Sequence, residues 1–364
     1  MRSVPPRLAL LVLAQLLSAA ASARAQITIP DTPSCKTCTI TVGSRLLVLG
    51  DGTSPVGGIG HFVARISRSR FLVGGAGVPE AFGSNGASLG PLGRKGAGPA
   101  EFLAAGAFIS GPGDSTAVFD PRTGRIQIFD ERLVFVRAFS FGQGVTNGGA
   151  LWVAGDSPFI TAGLRSGPTD SGFMLHLYGG DGTYRRSIAE SHGSISPSTA
   201  AAQSQVLLTR FSTGEVVSVT AAEAYDIERW DLRAGTRIGQ WTRDAPWFGA
   251  QYGPFNARVV SAVVDSAGLL WTLIAVPSPE WKKGVRPRTI GEGRQTEQTF
   301  DIVDRNQIID SFIEVIDLQL GTLVAQVKLD RAYVGLLPGR LLAAESQGAG
   351  TPRLEIFPVV LHQP

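Results

Sequence analysis

The chain is poor in charge, in sulfur and in histidine. Asp, Glu, Lys and Arg make up 17% of its 364 residues, against about 25% in an average globular domain. The balance is 33 bases against 30 acids. Three of the bases, Arg2, Arg7 and Arg24, stand in an N-terminal stretch that holds no acid. Without that stretch acids and bases are equal in number, whereas neutralising several phosphates needs a basic surplus or a dense basic face. Nucleic acid is therefore not an expected partner.

The four histidines, His61, His176, His192 and His362, show no metal-ligand spacing, and His176 sits on an apolar strand where packing is its expected role. The two cysteines, Cys35 and Cys38, are too few for a zinc site of about four ligands. Thr39 stands where covalent haem attachment would need His, and Thr39 to Val42 reads as a strand where a thioredoxin-like pair would have a helix. In an oxidising compartment the expectation is a disulfide, although so short a loop constrains the unfolded chain little. The phosphate-loop pattern G-x-x-x-x-G-K-[ST] does not occur, and no catalytic residue is assigned by motif. Helical periodicity is nowhere sustained beyond about a dozen residues.

What is present begins with a leader. Met1, Arg2 and Arg7 precede an apolar run from Leu8 to Leu17, and Ala23-Arg24-Ala25 supplies an A-x-A cleavage site. This is the pattern of a secretory signal over 1–25, cut after Ala25, and it predicts a periplasmic or secreted protein. The apolar run is shorter than the ~20 residues of a membrane span and no later segment reaches that length. The expected product is a monomer with no membrane span.

Glycine, at 45 residues, and proline, at 22, break the remainder into short β-rich runs. The clearest unit, Gly106 to Phe141, holds four such runs separated by turns, the content of one four-stranded antiparallel sheet. Related strand-turn-strand units follow over 173–188, 215–241 and 259–329, the last interrupted by an insertion over 277–307. A weaker unit lies upstream over 62–92. Downstream, Arg340 to Glu345 and Leu354 to Leu361 lack an outermost strand, which Thr39 to Leu49 can supply. Closing the ring in this way removes two open sheet edges. The expected fold is all-β: a six-bladed β-propeller over 39–364, preceded by an N-terminal segment, 26–38, that carries the C-x-x-C. A two-sheet sandwich is the alternative, less suited to regular four-strand units over such a length.

The segment Leu92 to Phe102, LGRKGAGPAEF, resembles the G-R-x-G-x-G-P-x-E-F signature of bacterial six-bladed propellers with NHL-like repeats, through Gly93, Arg94, Gly96, Gly98, Pro99, Glu101 and Phe102. Asp120 to Asp130, DPRTGRIQIFD, is similar to the core of an NHL repeat. Ala100 departs from the glycine usual there. The resemblance implies an extracytoplasmic propeller in a family whose members mostly lack an assigned activity.

Two constellations stand out. Loops joining blades share a face with loops joining second to third strands, and on that face Trp247 and Tyr252 would neighbour Trp281, Lys282 and Arg286 of the insertion. Aromatics beside cations suit a peptide, glycan or protein ligand. The bland alternative is a lid whose aromatics only pack. The second set, Glu101, Asn147 and Asn256, stands before the inner strands of three blades. One carboxylate and two amide oxygens would suit a hard cation such as calcium, as in lactonase-type hydrolases. Asn in turns and a Glu101–Arg94 pair are the competing structural readings. A binding module without catalysis is the leading expectation and a calcium-dependent hydrolase the alternative; no cofactor is otherwise expected.

Overall fold

In the computed structural model the described residues are 26–51, 56, 62–67, 69–75, 77–140, 150–153, 158–163, 172–190, 206–220, 222, 224–249, 251–252, 254–290, 297–329, 331–346 and 351–364. The leader 1–25 and Asn147 lie outside them, as do His61 and His192.

Six antiparallel sheets follow one another along the chain. Blade 1 is Phe62–Ser67, Arg70–Gly74, Glu80–Gly83 and Ser88–Pro91, and blade 2 is Ala107–Ser110, Thr116–Asp120, Arg125–Phe129 and Phe135–Ser140. Blade 3 is Ala150–Trp152, Phe159–Ala162, Phe173–Tyr178 and Tyr184–Glu190; blade 4 is Val206–Ser212, Glu215–Thr220, Asp226–Asp231 and Thr236–Arg243. Blade 5 is Arg258–Val264, Leu269–Pro277, Ile309–Asp317 and Thr322–Leu329. Blade 6 takes Gly335–Leu337, Leu341–Glu345 and Leu354–His362 from the C-terminal end. Its outer edge is completed by two N-terminal strands, Thr39–Val42 against Val359–His362 and Leu47–Leu49 against Leu354–Ile356.

The first strands touch their neighbours in cyclic order, with that of blade 6 against that of blade 1, so the ring closes. Each pair of adjacent blades shares its own apolar cluster. Phe82 and Leu341 belong to the one between blades 1 and 6, and Val217, Ile227, Leu270 and Ile316 to the one between blades 4 and 5. The hydrophobic effect thus acts between sheets rather than in one central core, because each sheet buries both faces against neighbours.

The turn chemistry is set by Asp. Asp130 Oδ1 accepts from the amides of Arg132 and Val134, Asp231 Oδ1 from Arg233 and Ala234, and Asp317 Oδ1 from Gln319 and Leu320. Such side chains cap the turn amides, and the glycines that follow two of them, Gly235 and Gly321, take the positive φ that closes the hairpin.

Three features differ from expectation. The insertion 277–307 has structure of its own: a 3-10 turn at Trp281–Gly284, a hairpin of Val285–Ile290 with Glu297–Ile302, and a helical turn Arg305–Ile308. Alternation of apolar and polar residues there is weak, which hid the hairpin. Residues 26–38 belong to the rim, where Ile27–Ile29 adds a fifth, parallel strand to blade 4 beside Trp241 to Arg243. The inner strand of blade 6, Gly335–Leu337, is three residues long, too short to carry a period.

Candidate functional site

The signature loop is a structural clasp. Arg94 Nε donates to Glu101 Oε1 at 2.8 Å and the Gly98 amide donates to Oε2 at 2.7 Å. These bonds hold the Glu101 carboxyl below its ordinary value, the Gly98 amide contributing most. Gln127, buried in blade 2, accepts from the Ala100 amide at 2.7 Å and donates to the Glu101 carbonyl at 2.5 Å. Asp120, fully buried, accepts from the amides of Leu103 and Arg122 at 2.8 and 2.9 Å. Glu101 therefore spends both carboxylate oxygens on its own loop. Asn256 is exposed in a two-strand turn with Phe255, and no carboxylate joins it. Among the described residues no three His, Cys, Asp or Glu side chains gather as metal ligands.

The aromatic set divides. Trp247 stacks on Phe312 at 4.6 Å between centroids and points its indole nitrogen toward Asp31. Trp281 is 9% exposed and meets Phe255 and Phe300 edge to face at 5.6 and 5.4 Å. Both anchor loops rather than present a surface. Lys282 and Arg286 are exposed on the insertion, Lys282 lying 6.0 Å from the Trp281 ring centre. The strand residue Tyr252 has its side chain outside the described residues. Cys35 and Cys38 are joined by a disulfide. His176 is buried, with its ring nitrogens 2.7 Å from Ser187 Oγ and 2.8 Å from the Gly163 carbonyl.

A buried ion cluster ties blades 4 and 5 to the N-terminal segment. The Arg243 guanidinium, with no exposed side-chain surface, meets Glu314 at 2.7 Å and also Asp31. Burial pushes the Glu314 carboxyl up, against the opposing pull of Arg243. Nearby, Tyr225 and Thr272 share a hydroxyl hydrogen bond of 2.5 Å.

The site with room for a ligand lies above blade 5. Its cavity, of about 620 Å³, opens on the face shared by the inter-blade connections and the insertion. Pro254, Phe255 and Asn256 come from the connection entering blade 5, Ile302 and Arg305 from the insertion, and Tyr333 and Val334 from the connection leaving it. The floor comes from the blade: Arg258 and Val260 of the first strand line the cavity with Ala257 before them, while Val259 is 2% exposed in the core between blades 4 and 5. Tyr333 is set by Ser311 Oγ, which accepts from its amide at 2.9 Å. Arg305 is set by the helical turn, where Asp304 accepts from the Asn306 amide and Asn306 Oδ1 in turn accepts from the Ala332 amide at 2.8 Å.

Two guanidiniums supply the charge of this lining. Arg305 pairs with Glu345 at 3.3 Å. No acid pairs with Arg258 among the described residues. Arg258 is exposed toward the cavity, and the protein around it, with the nearby charge of Arg305, pulls it below its ordinary value. Of the features singled out in the sequence, Asn256 and the insertion contribute to this lining; Arg258, Arg305 and Tyr333 were not named there. A lone Arg opening an apolar strand, Arg258-Val-Val-Ser-Ala-Val-Val, was the available signal.

No protein-family model and no curated protein matches this chain. Solved structures do. A "Putative exported protein" from Bacteroides fragilis NCTC 9343 aligns over 93% of this chain and 100% of its own, with a TM-score of 0.57 at 10% identity. A member of the DUF4221 family from Bacteroides vulgatus ATCC 8482 aligns over 89% of this chain and 98% of its own, with a TM-score of 0.56 at 9% identity. The RRP9 WD40 repeats align over 88% and 100%, at 0.50 and 11%. At such identities the likeness is one of fold. No helix among the described residues is long and apolar enough to cross a membrane.

Proposed function

We propose that this chain is an exported binding propeller that captures a ligand in the cavity above blade 5, without chemistry of its own. The observation that carries the reading is the convergence of the two connections flanking blade 5 and its insertion on one cavity. Its volume falls within the range of about 300–1,000 Å³ common for small-molecule sites. Export is supported by the leader pattern over 1–25, and one structure of similar fold is named an exported protein. The NHL-like family remains the reading that the signature loop and DPRTGRIQIFD support. The alternative of a calcium-dependent hydrolase would draw on Glu101, whose carboxylate is already engaged, and nothing in the geometry favours it.

A fragment screen by ligand-observed NMR tests the proposal, comparing the wild-type protein with N256W, in which an indole at the exposed rim obstructs the opening. Fragments that bind the wild type should lose their signal with N256W at an unchanged Tm. Equal binding to both proteins, or no binding to the wild type, would overturn it.

A further inference from the structure

From the lining of the cavity above blade 5 we infer that its ligand is a small organic oxyanion, a carboxylate or phosphate monoester on an apolar or aromatic body, held head-first by Arg258. This rests on the proposed binding function and adds the chemistry of the ligand.

The argument begins with the strand. Arg258 opens the inner strand of blade 5 and lines the cavity with Val260, while Val259 between them is buried in the core. A guanidinium is always charged in proteins and carries five donors in a planar fork that matches an oxyanion edge-on. Several arginines in this fold are answered by carboxylates, Arg45 and Arg331 by Glu355, Arg94 by Glu101, Arg229 by Glu215 and Arg243 by Glu314, and others, such as Arg65 and Arg186, by backbone carbonyls. Beside Arg258 stands a second arginine, Arg305, and among the described residues only Arg305 has an acid, Glu345. Placing two cations side by side is unfavourable, and an anion entering the cavity between them relieves that cost. The walls around Arg258 are largely apolar. Phe255, Tyr333, Pro277 and Ile302 flank the space the anion would enter, so one end of the ligand is charged and the remainder apolar. The cavity is too small for a folded partner to fill.

Isothermal titration with phenylacetate, phenyl phosphate and the neutral phenylacetamide tests the inference on wild type and on R258Q and R258K. At least one of the two anions should bind wild type more tightly than the amide, by roughly tenfold or more, and the tighter anion identifies the head group. R258Q should weaken that anion by roughly tenfold to a hundredfold, the range for a charge-assisted hydrogen bond, while leaving the amide unchanged. R258K should recover part of the loss. The Tm of unliganded R258Q should not fall, since an unfavourable charge has been removed, and this separates lost binding from lost folding. If the amide binds as tightly as both anions, or if R258Q leaves anion binding unchanged, the oxyanion inference is overturned while capture in the cavity stands. If no probe binds and the N256W screen also finds no site, both fall together.

Discussion

At the scale of single residues, the partner decides what a charged side chain does. Glu101, Glu355 and Glu314 look alike in sequence, as acids near β-rich runs. Glu101 closes its own loop through Arg94 and the Gly98 amide. Glu314 is buried against Arg243, and Glu355 joins Arg45 of the N-terminal segment at 2.8 Å to Arg331 at 2.7 Å. Burial opposes the charge on Glu355, but its arginine hydrogen bonds prevail and hold the carboxyl below its ordinary value. A depressed folded value means that this acid stabilises the fold fully above the unfolded value, near 4.3, and loses that contribution as pH falls through the folded one. E355Q should therefore cost about 2 kcal/mol at pH 7, and the Tm difference from wild type should shrink as pH drops below about 4. A pH-independent difference in thermal melts would contradict the assignment.

At the scale of elements, turns were legible and short strands were not. Asp and Gly punctuate hairpins for local reasons, namely capped amides and positive φ, and local reasons are written in local sequence. The first two strands of blade 3 and the three-residue inner strand of blade 6 are defined by their neighbours instead. One glycine shows the difference. Gly86 has φ +81°, and a Cβ there would overlap the Val48 carbonyl of the strand that closes blade 6. Gly214 has φ +86° but open space around it. G214A should cost about 1–2 kcal/mol, the backbone term alone. G86A should cost clearly more, because the closing strand must move. Urea unfolding of the two variants reads the gap, and equal losses would mean that the turn of blade 1 does not bear on that strand.

At the scale of the molecule, closure is shared by two devices. The outer strands of blade 6 come from Thr39–Val42 and Leu47–Leu49. Upstream of them the chain crosses the rims of blades 4 and 5, pairing Ile27–Ile29 with blade 4 and placing the Ser34 amide 2.7 Å from the Leu323 carbonyl of blade 5. Removing 26–33 should lower Tm while leaving a single transition, because blade 6 keeps its outer strands. Removing 26–49 should abolish cooperative unfolding in calorimetry, since blade 6 then exposes an edge and the ring has no latch. A wild-type transition in the longer deletion would refute this closure.

The sequence alone determined the all-β class, the number of blades and the joining of the chain ends. Each rests on periodicity, turn residues or a missing strand, all of which are local or countable. The tertiary structure decided which side chains share the cavity above blade 5. Arg258, Arg305 and Tyr333 are far apart in sequence, and only the ring brings their loops to one face. Whether an arginine is answered by an acid depends on what folds beside it, and no pattern along the chain records that.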